Sequence, residues 1–239
     1  MVMRTTGFNG SKTSVIGVVA AAAVRMAAAL LVAATVSATA ASPEQIKPSA
    51  SASSAQEAPL QTLDAVLDDL RKGGLVIYFR HGITEQTGPK DEAADLAVCA
   101  TQRNLSAEGR DQAAQIGKAF HALGITVGTV TTSPFCRCRD TAKLAFGRFT
   151  VNNDLYFAID TDAERTKQLA GALRRTLSTP PLAGTNTVIV SHTANLREAA
   201  GIWPKPEGVA YVFRPLPGGR YEVVARVSPE EWVAAAKRK

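Results

Sequence analysis

Histidine and cysteine are both scarce in this 239-residue chain, with three of each. Cys99, Cys136 and Cys138 are too few, at these spacings, to build a structural metal site. Aromatic residues are only 6%, charged residues 20% and apolar residues 46%. Those proportions belong to a globular protein and exclude a disordered tail or a collagen-like fibre. There is no internal repeat, and no basic stripe of the kind that tracks a nucleic-acid backbone.

The apolar residues are unevenly spread. Residues 13 to 41 are mostly Ala, Val and Leu, with Arg25 as the sole charge. Arg4, Lys12 and Arg25 precede the apolar segment Met26 to Val36, and Ala38-Thr39-Ala40 supplies the small residues a signal peptidase accepts. Arg25 divides the run, and the piece after it is too short to cross about 30 Å of hydrocarbon. No cysteine lies near Ala40 for a lipid to modify. The expectation is therefore a signal peptide over 1–40, no stable membrane insertion after processing, and a periplasmic or secreted protein. Removing Arg4, Lys12 and Arg25 leaves 24 basic against 21 acidic residues, a net charge of only +3. Nucleic acid is not an expected partner, whereas a small anionic substrate is. Residues 41–59 are rich in Ser, Ala, Pro and Gln and read as a disordered tether, because they have too little apolar surface to offset the entropy of ordering. Residues 60–239 then form one domain, large enough for a substantial core.

Within it, Leu60, Leu63, Leu67 and Leu70 predict an amphipathic helix stopped by Gly73-Gly74. Leu75 to Phe79 is an unbroken apolar run, the mark of a strand covered on both faces. Ser106 caps a helix with Ala113, Ile116, Phe120 and Leu123 on one stripe and Gly124 at its end. Val127 to Thr132 is a second strand, and helix resumes over Arg139 to Phe146. Leu169, Leu173 and Leu177 mark another helix before the strand Thr187 to Val190. Val209 to Phe213 and Tyr221 to Val227 are strands joined through Pro217-Gly218-Gly219, and a last helix starts near Pro229. Strands alternating with helices predict an α/β fold, a three-layer α/β/α sandwich with a mostly parallel central sheet.

Such sheets bind ligands beyond the carboxyl ends of their strands. Arg80-His81-Gly82 follows the first strand, Ser133 to Arg139 the second, and His192 the third. Two of only three histidines thus fall at strand ends, together with arginines whose forked donors match phosphoryl oxygens. A neutral imidazole among them can attack phosphorus while the donors stabilise the transferring oxygens. That chemistry calls for neither a metal nor an organic cofactor. His121, near a helix end, reads as structural, and Arg139 as a solvated helix residue.

These segments resemble the histidine phosphatase superfamily, which includes acid phosphatases and phosphoglycerate mutases. The resemblance covers Arg80-His81-Gly82-Ile83-Thr84, then Asn104-Leu105-Ser106 with Gly109 and Gln112-Ala113, then Ser133-Pro134-Phe135-Cys136-Arg137 with Thr141-Ala142, and Val190-Ser191-His192. It implies His81 as nucleophile, Arg80 and Arg137 as phosphate clamps, His192 as the second pocket histidine, and Thr84 as a further substrate-binding residue. It departs from the family at the proton donor. Thr193 stands where one branch has Asp, and Phe157 near where the mutase-like branch has Glu. Asp91, Glu85 and Glu207 are the substitutes within loop reach. The expected activity is a metal-independent phosphomonoesterase working through a phosphohistidine, with a phosphomutase or a catalytically weak phosphate-binding protein as alternatives. Neither the substrate nor the oligomeric state can be read from the residues.

Export would allow one disulfide and one thiol. Cys136 and Cys138 are too close to pair with each other, and Cys99 with Cys136 is the preferred bridge because both flank motifs that converge on one edge. Exported protein should begin at Ala41, as intact mass spectrometry would reveal; a retained N-terminus on membrane-embedded protein would establish an anchor instead.

Overall fold

The computed structural model describes residues 59–91 and 94–239. The expected signal peptide, and all of the tether before Pro59, lie outside the described residues. Helix α1 (Leu63–Lys72) is capped by the Thr62 hydroxyl and leads into strand β1 (Val76–Arg80). Helix α2 (Ala107–Leu123) starts at the Ser106 cap and ends at Gly124, as the sequence predicts. Strand β2 (Val127–Thr132) runs into α3 (Cys136–Phe146), and a two-residue strand β3 (Thr150–Val151) follows. Then come α4 (Ala163–Leu177), β4 (Asn186–Ser191), α5 (Thr193–Ala200), β5 (Ala210–Leu216), β6 (Arg220–Val227) and α6 (Pro229–Lys237). Among the described residues, no helix is long and apolar enough to cross a membrane.

The six strands form one sheet in the order β3-β2-β4-β1-β5-β6. The pairs from β3 across to β1 are parallel, whereas β1 with β5 and β5 with β6 are antiparallel. With three of its five strand pairs parallel, the sheet is mostly parallel as expected, and β5 and β6 add an antiparallel edge that makes it mixed. The turn between β5 and β6 is too short for a crossover, and Gly218 and Gly219, with φ of 75° and 70°, supply the left-handed pair that a tight hairpin requires. Helix α3 also starts three residues earlier than expected. Arg137 consequently lies in its first turn rather than in a preceding loop.

Strand β1 shows why its sequence lacks alternation. Ile77 and Phe79 pack with Leu70, Phe120 and Trp232 on the face covered by α1, α2, α3 and α6. Val76 and Tyr78 pack with Leu173, Leu196 and Phe213 on the face covered by α4 and α5. Each face is apolar, so the strand is apolar throughout. On the first face Phe79, Phe120, Phe146 and Trp232 form an aromatic cluster, with the Phe120 and Trp232 ring centres 4.7 Å apart. These four of the chain's 14 aromatic residues pack behind the strand that ends in Arg80 and leads into His81.

The register of the parallel strands sets the working edge. Arg80 pairs with Ser191 and Thr132 with Val190, so β1, β4 and β2 end side by side. The His81 amide donates to the Ser191 carbonyl and the Ser133 amide to the Val190 carbonyl, which continues the alignment into the loops. The loop after β1 is then seated on the helices. The Gly82 amide donates to the Thr141 hydroxyl on α3, and the Ile83 amide to the Gln112 side chain on α2. Gly109 lies so close beneath this loop that a Cβ there would fall on the Ile83 carbonyl. Gly109→Ala should accordingly destabilise the domain by about 2 kcal/mol or more through backbone displacement, with a matching loss of phosphate affinity. Urea unfolding together with calorimetric phosphate titration checks both, and an unchanged midpoint would contradict the close packing.

Candidate active site

His81 and His192 face each other across the edge, ring centres 5.5 Å apart and both almost fully buried. Their hydrogen bonds differ in a way that separates their roles. Nδ1 of His81 lies 2.9 Å from the Gly82 carbonyl, which can only accept, so Nδ1 carries the proton. Nε2 of His81 then holds the lone pair, and no described residue hydrogen-bonds it. His192 is occupied at both nitrogens. Its Nδ1 receives Arg137 Nη2 at 3.3 Å, so its proton lies on Nε2, which donates to the Ser133 hydroxyl at 2.7 Å. Burial first, and the Arg137 charge next, hold both imidazoles well below their usual value of 6.5, leaving them neutral at physiological pH.

Arg137 is completely buried. Nη1 donates to the Asp91 carboxylate at 2.8 Å and to the Arg103 carbonyl at 3.3 Å, and the guanidinium lies over the Phe135 ring at 4.6 Å. Arg80 donates to Glu207 at 3.1 Å and to the Pro204 carbonyl at 3.3 Å. In both arginines Nε is buried with no hydrogen-bond partner among the described residues. Unpaired donors on two arginines whose charges act on His81 suit an incoming phosphoryl oxygen.

The remaining expected residues are distributed as follows. Thr84 is buried, but its hydroxyl and amide both donate to Glu207, at 2.9 and 3.2 Å, so here it holds Glu207 rather than facing a substrate. Glu207, considered from sequence as an acid, is committed to Arg80 and Thr84 and lies 3.9 Å from His81 Nδ1. It reaches the site because β5 runs antiparallel to β1 and begins at this edge, with the Gly208 amide donating to the His81 carbonyl. Glu85 is exposed, whereas the Asp91 side chain is only 5% exposed. The Phe157 ring centre stands 4.8 Å from that of His192, an apolar wall beside the second histidine.

Two residues escaped the sequence reading. Gln102 is buried and accepts the Cys136 amide at 2.8 Å, capping α3 from outside the helix. Arg103 is half-buried, has no side-chain ion pair among the described residues, and its charge further lowers both histidines and both clamp arginines. Both directly precede Asn104-Leu105-Ser106, a position that was their only sequence signal. The expected Cys99–Cys136 disulfide is present and ties this segment to α3, while Cys138 is a buried free thiol pushed up to about 12 by burial. Among the described residues no group of three or more His, Cys, Asp or Glu side chains is placed to hold a metal ion.

Residues 76–155, from β1 through the arginine helix, match the model of the histidine phosphatase superfamily, branch 1. That match covers 80 of the 239 residues and makes this region similar to the histidine phosphatase superfamily. No curated protein sequence matches the chain. Similar solved structures include the protein histidine phosphatase SixA complexed with tungstate, at 14% identity and TM-score 0.46 over 65% of this chain and 97% of that one. The alpha-ribazole phosphatase from Shigella flexneri is similar at 16% identity and TM-score 0.48, over 65% and 96% of the two chains. Phosphoserine phosphatase from Entamoeba histolytica, in complex with 3-phosphoglyceric acid, is similar at 15% identity and TM-score 0.47, over 66% and 98%.

The neutral histidines of this site have a thermodynamic consequence. The unfolded chain protonates imidazole near pH 6.5, whereas the folded site keeps both bases neutral. The unfolded state thus binds more protons below that pH, and stability is lost as pH falls. Each histidine adds up to about 1.4 kcal/mol per pH unit to that slope. Urea unfolding between pH 7.5 and 5 should show the decline, and a flat profile would mean that the site charges without penalty.

Proposed function

We propose that the protein is an exported phosphomonoesterase that hydrolyses a small phosphorylated substrate through a phosphohistidine on His81. The observation that carries this reading is the hydrogen bond of His81 Nδ1 to the Gly82 carbonyl, which leaves the lone pair on Nε2 in a pocket where the charges of Arg137 and Arg80 act on the imidazole and both arginines keep an unpaired Nε donor. Burial keeps the imidazole neutral and hence nucleophilic.

In this mechanism Arg80 and Arg137 bind and orient the phosphoryl oxygens, with His192 holding the Arg137 guanidinium in place, while Nε2 of His81 forms a bond to phosphorus and the bond to the leaving oxygen breaks. Charge spreading over the equatorial oxygens is stabilised by donors already in place, so little reorganisation is needed. Water then attacks the phosphohistidine and regenerates His81. Glu207 lies against both Arg80 and the protonated side of His81, and steadies the imidazole as it gains positive character. Metal independence is part of the proposal. Export draws support from the segment ending Ala38-Thr39-Ala40 and from a disulfide, which persists in oxidising compartments. Phe157 in place of a family acid favours a second reading, a protein that binds phosphate without turning it over.

With chelator present, purified protein should release phosphate from simple phosphomonoesters. His81→Ala should lower kcat by about a thousandfold or more while retaining inorganic phosphate binding, and Arg137→Ala should impair both. A labelled substrate quenched without acid should leave an acid-labile, base-stable phosphoryl group on the wild-type chain. Phosphate binding without release or trapping would establish the binding protein, and label on Ser133 would overturn the nucleophile.

A further inference from the structure

We propose that Asp91 is the proton donor to the leaving group, supplying the acid that the superfamily pattern lacks in this chain. This inference rests on the phosphomonoesterase reading. Three carboxylates were in reach from sequence, and the geometry separates them. Glu85 is exposed, and Glu207 is fixed by Arg80 and by two bonds from Thr84. Of the three, Asp91 is the one on Arg137: Oδ2 accepts Arg137 Nη1 at 2.8 Å, and Oδ1 accepts the Arg103 amide at 2.8 Å. Its φ of 72° is the single positive value among the described non-glycine residues, a left-handed setting that Asp and Asn tolerate better than other side chains.

The contact also explains how a carboxylate paired with arginine becomes an acid. A phosphoryl dianion bound to Arg137 stands beside the Asp91 carboxylate on one guanidinium. Two anions in that position repel, and the carboxylate relieves the repulsion by taking a proton. The titratable and charged groups coupled to Asp91 are Arg137, the Cys138 thiol and Asp160, and Asp160 is itself raised, by burial first and by the Asp91 charge next. Substrate binding thus arms the acid. The Nε2 lone pair of His81 forms the bond to phosphorus, the bond from phosphorus to the leaving oxygen breaks, and the electron pair on that oxygen takes the Asp91 proton. In the second half, the Asp91 carboxylate takes a proton from the attacking water, the water oxygen bonds to phosphorus, and the electron pair of the N–P bond returns to Nε2. Phosphate leaves with Asp91 protonated again.

The test compares p-nitrophenyl phosphate, whose leaving group is stable as an anion, with glycerol 2-phosphate, whose alkoxide must be protonated. Asp91→Asn retains the shape and the tolerance for positive φ. It should lose about 100-fold or more in kcat/KM on glycerol 2-phosphate but only about fivefold or less in kcat/KM on p-nitrophenyl phosphate, because kcat/KM reports phosphoryl transfer to His81, while kcat falls on both substrates with the loss of the base in the shared second step. Taking the ratio of the two substrates on one preparation cancels any change in the folded fraction. Equal losses of kcat/KM on both substrates would overturn the acid role and make Asp91 a positioning residue for Arg137. The same substrate-selective loss in Asp160→Asn, with Asp91→Asn unaffected, would overturn it in favour of Asp160. A wild-type protein inactive on both esters would instead remove the phosphomonoesterase reading itself.

Discussion

Two guanidiniums and two imidazoles share one buried pocket, and four positive charges could not coexist there. The constraint is met by keeping both imidazoles neutral, which burial and the arginine charges enforce together. The other contacts of the pocket follow from this. A neutral imidazole has one donor and one acceptor, so each ring needs a partner of defined type to fix its tautomer. The Gly82 carbonyl fixes His81 with its lone pair at Nε2, while Arg137 and Ser133 fix His192 the other way round. The arginines cannot lose their charge and are each given a carboxylate, Glu207 for Arg80 and Asp91 for Arg137.

Those tautomers depend on backbone atoms, and the backbone depends on the sheet. The Gly82 carbonyl is placed by the loop after β1, whose amides reach Thr141 and Gln112 on two different helices. Thr141 in turn donates to the Arg137 carbonyl at 2.7 Å, so one hydroxyl links the nucleophile loop to the helix carrying the clamp. The segment around Asp91, Gln102 and Arg103 has little regular structure of its own. It is held to α3 by the Cys99–Cys136 bridge, by Gln102 on the Cys136 amide, and by Arg137 itself. In the chain-entropy view a bridge spanning 37 positions is worth about 4 kcal/mol. Here it also fixes the acid side of the pocket relative to the arginine side.

The parts of the site that follow parallel strands were legible in the sequence, because an apolar run ending abruptly in Arg80-His81 or Ser191-His192 marks both a buried strand and its working end. The disulfide was legible from the same convergence. Glu207 could be named as a carboxylate within reach, but not given its place opposite Arg80. That place depends on β5 turning antiparallel, and short apolar strands carry no sign of their direction. Arg103 and Gln102 were missed because they precede a helix cap in a loop without periodicity, where only tertiary contact distinguishes a pocket residue from a solvated one. Thr84 shows the opposite case: its proximity to His81 in sequence pointed to a ligand, whereas its two donors are directed at Glu207.

The two ion pairs are not equivalent, and the difference gives the pocket a direction. Glu207 accepts three hydrogen bonds, from Arg80 and from the Thr84 hydroxyl and amide, and it precedes a strand whose amides and carbonyls are already paired. Displacing it would break a network shared with the nucleophile loop. Asp91 accepts one bond from Arg137 and one from a backbone amide, so exchanging the Arg137 bond for a phosphoryl oxygen leaves the carboxylate anchored by Arg103. In the proposed reaction Arg80 would then be the fixed wall behind His81, and Arg137 the clamp that trades a carboxylate for a phosphate. A carboxylate displaced in this way remains next to the anion that displaced it. The substrate is therefore approached on the Arg137 side by the one acidic group whose protonation its own charge promotes.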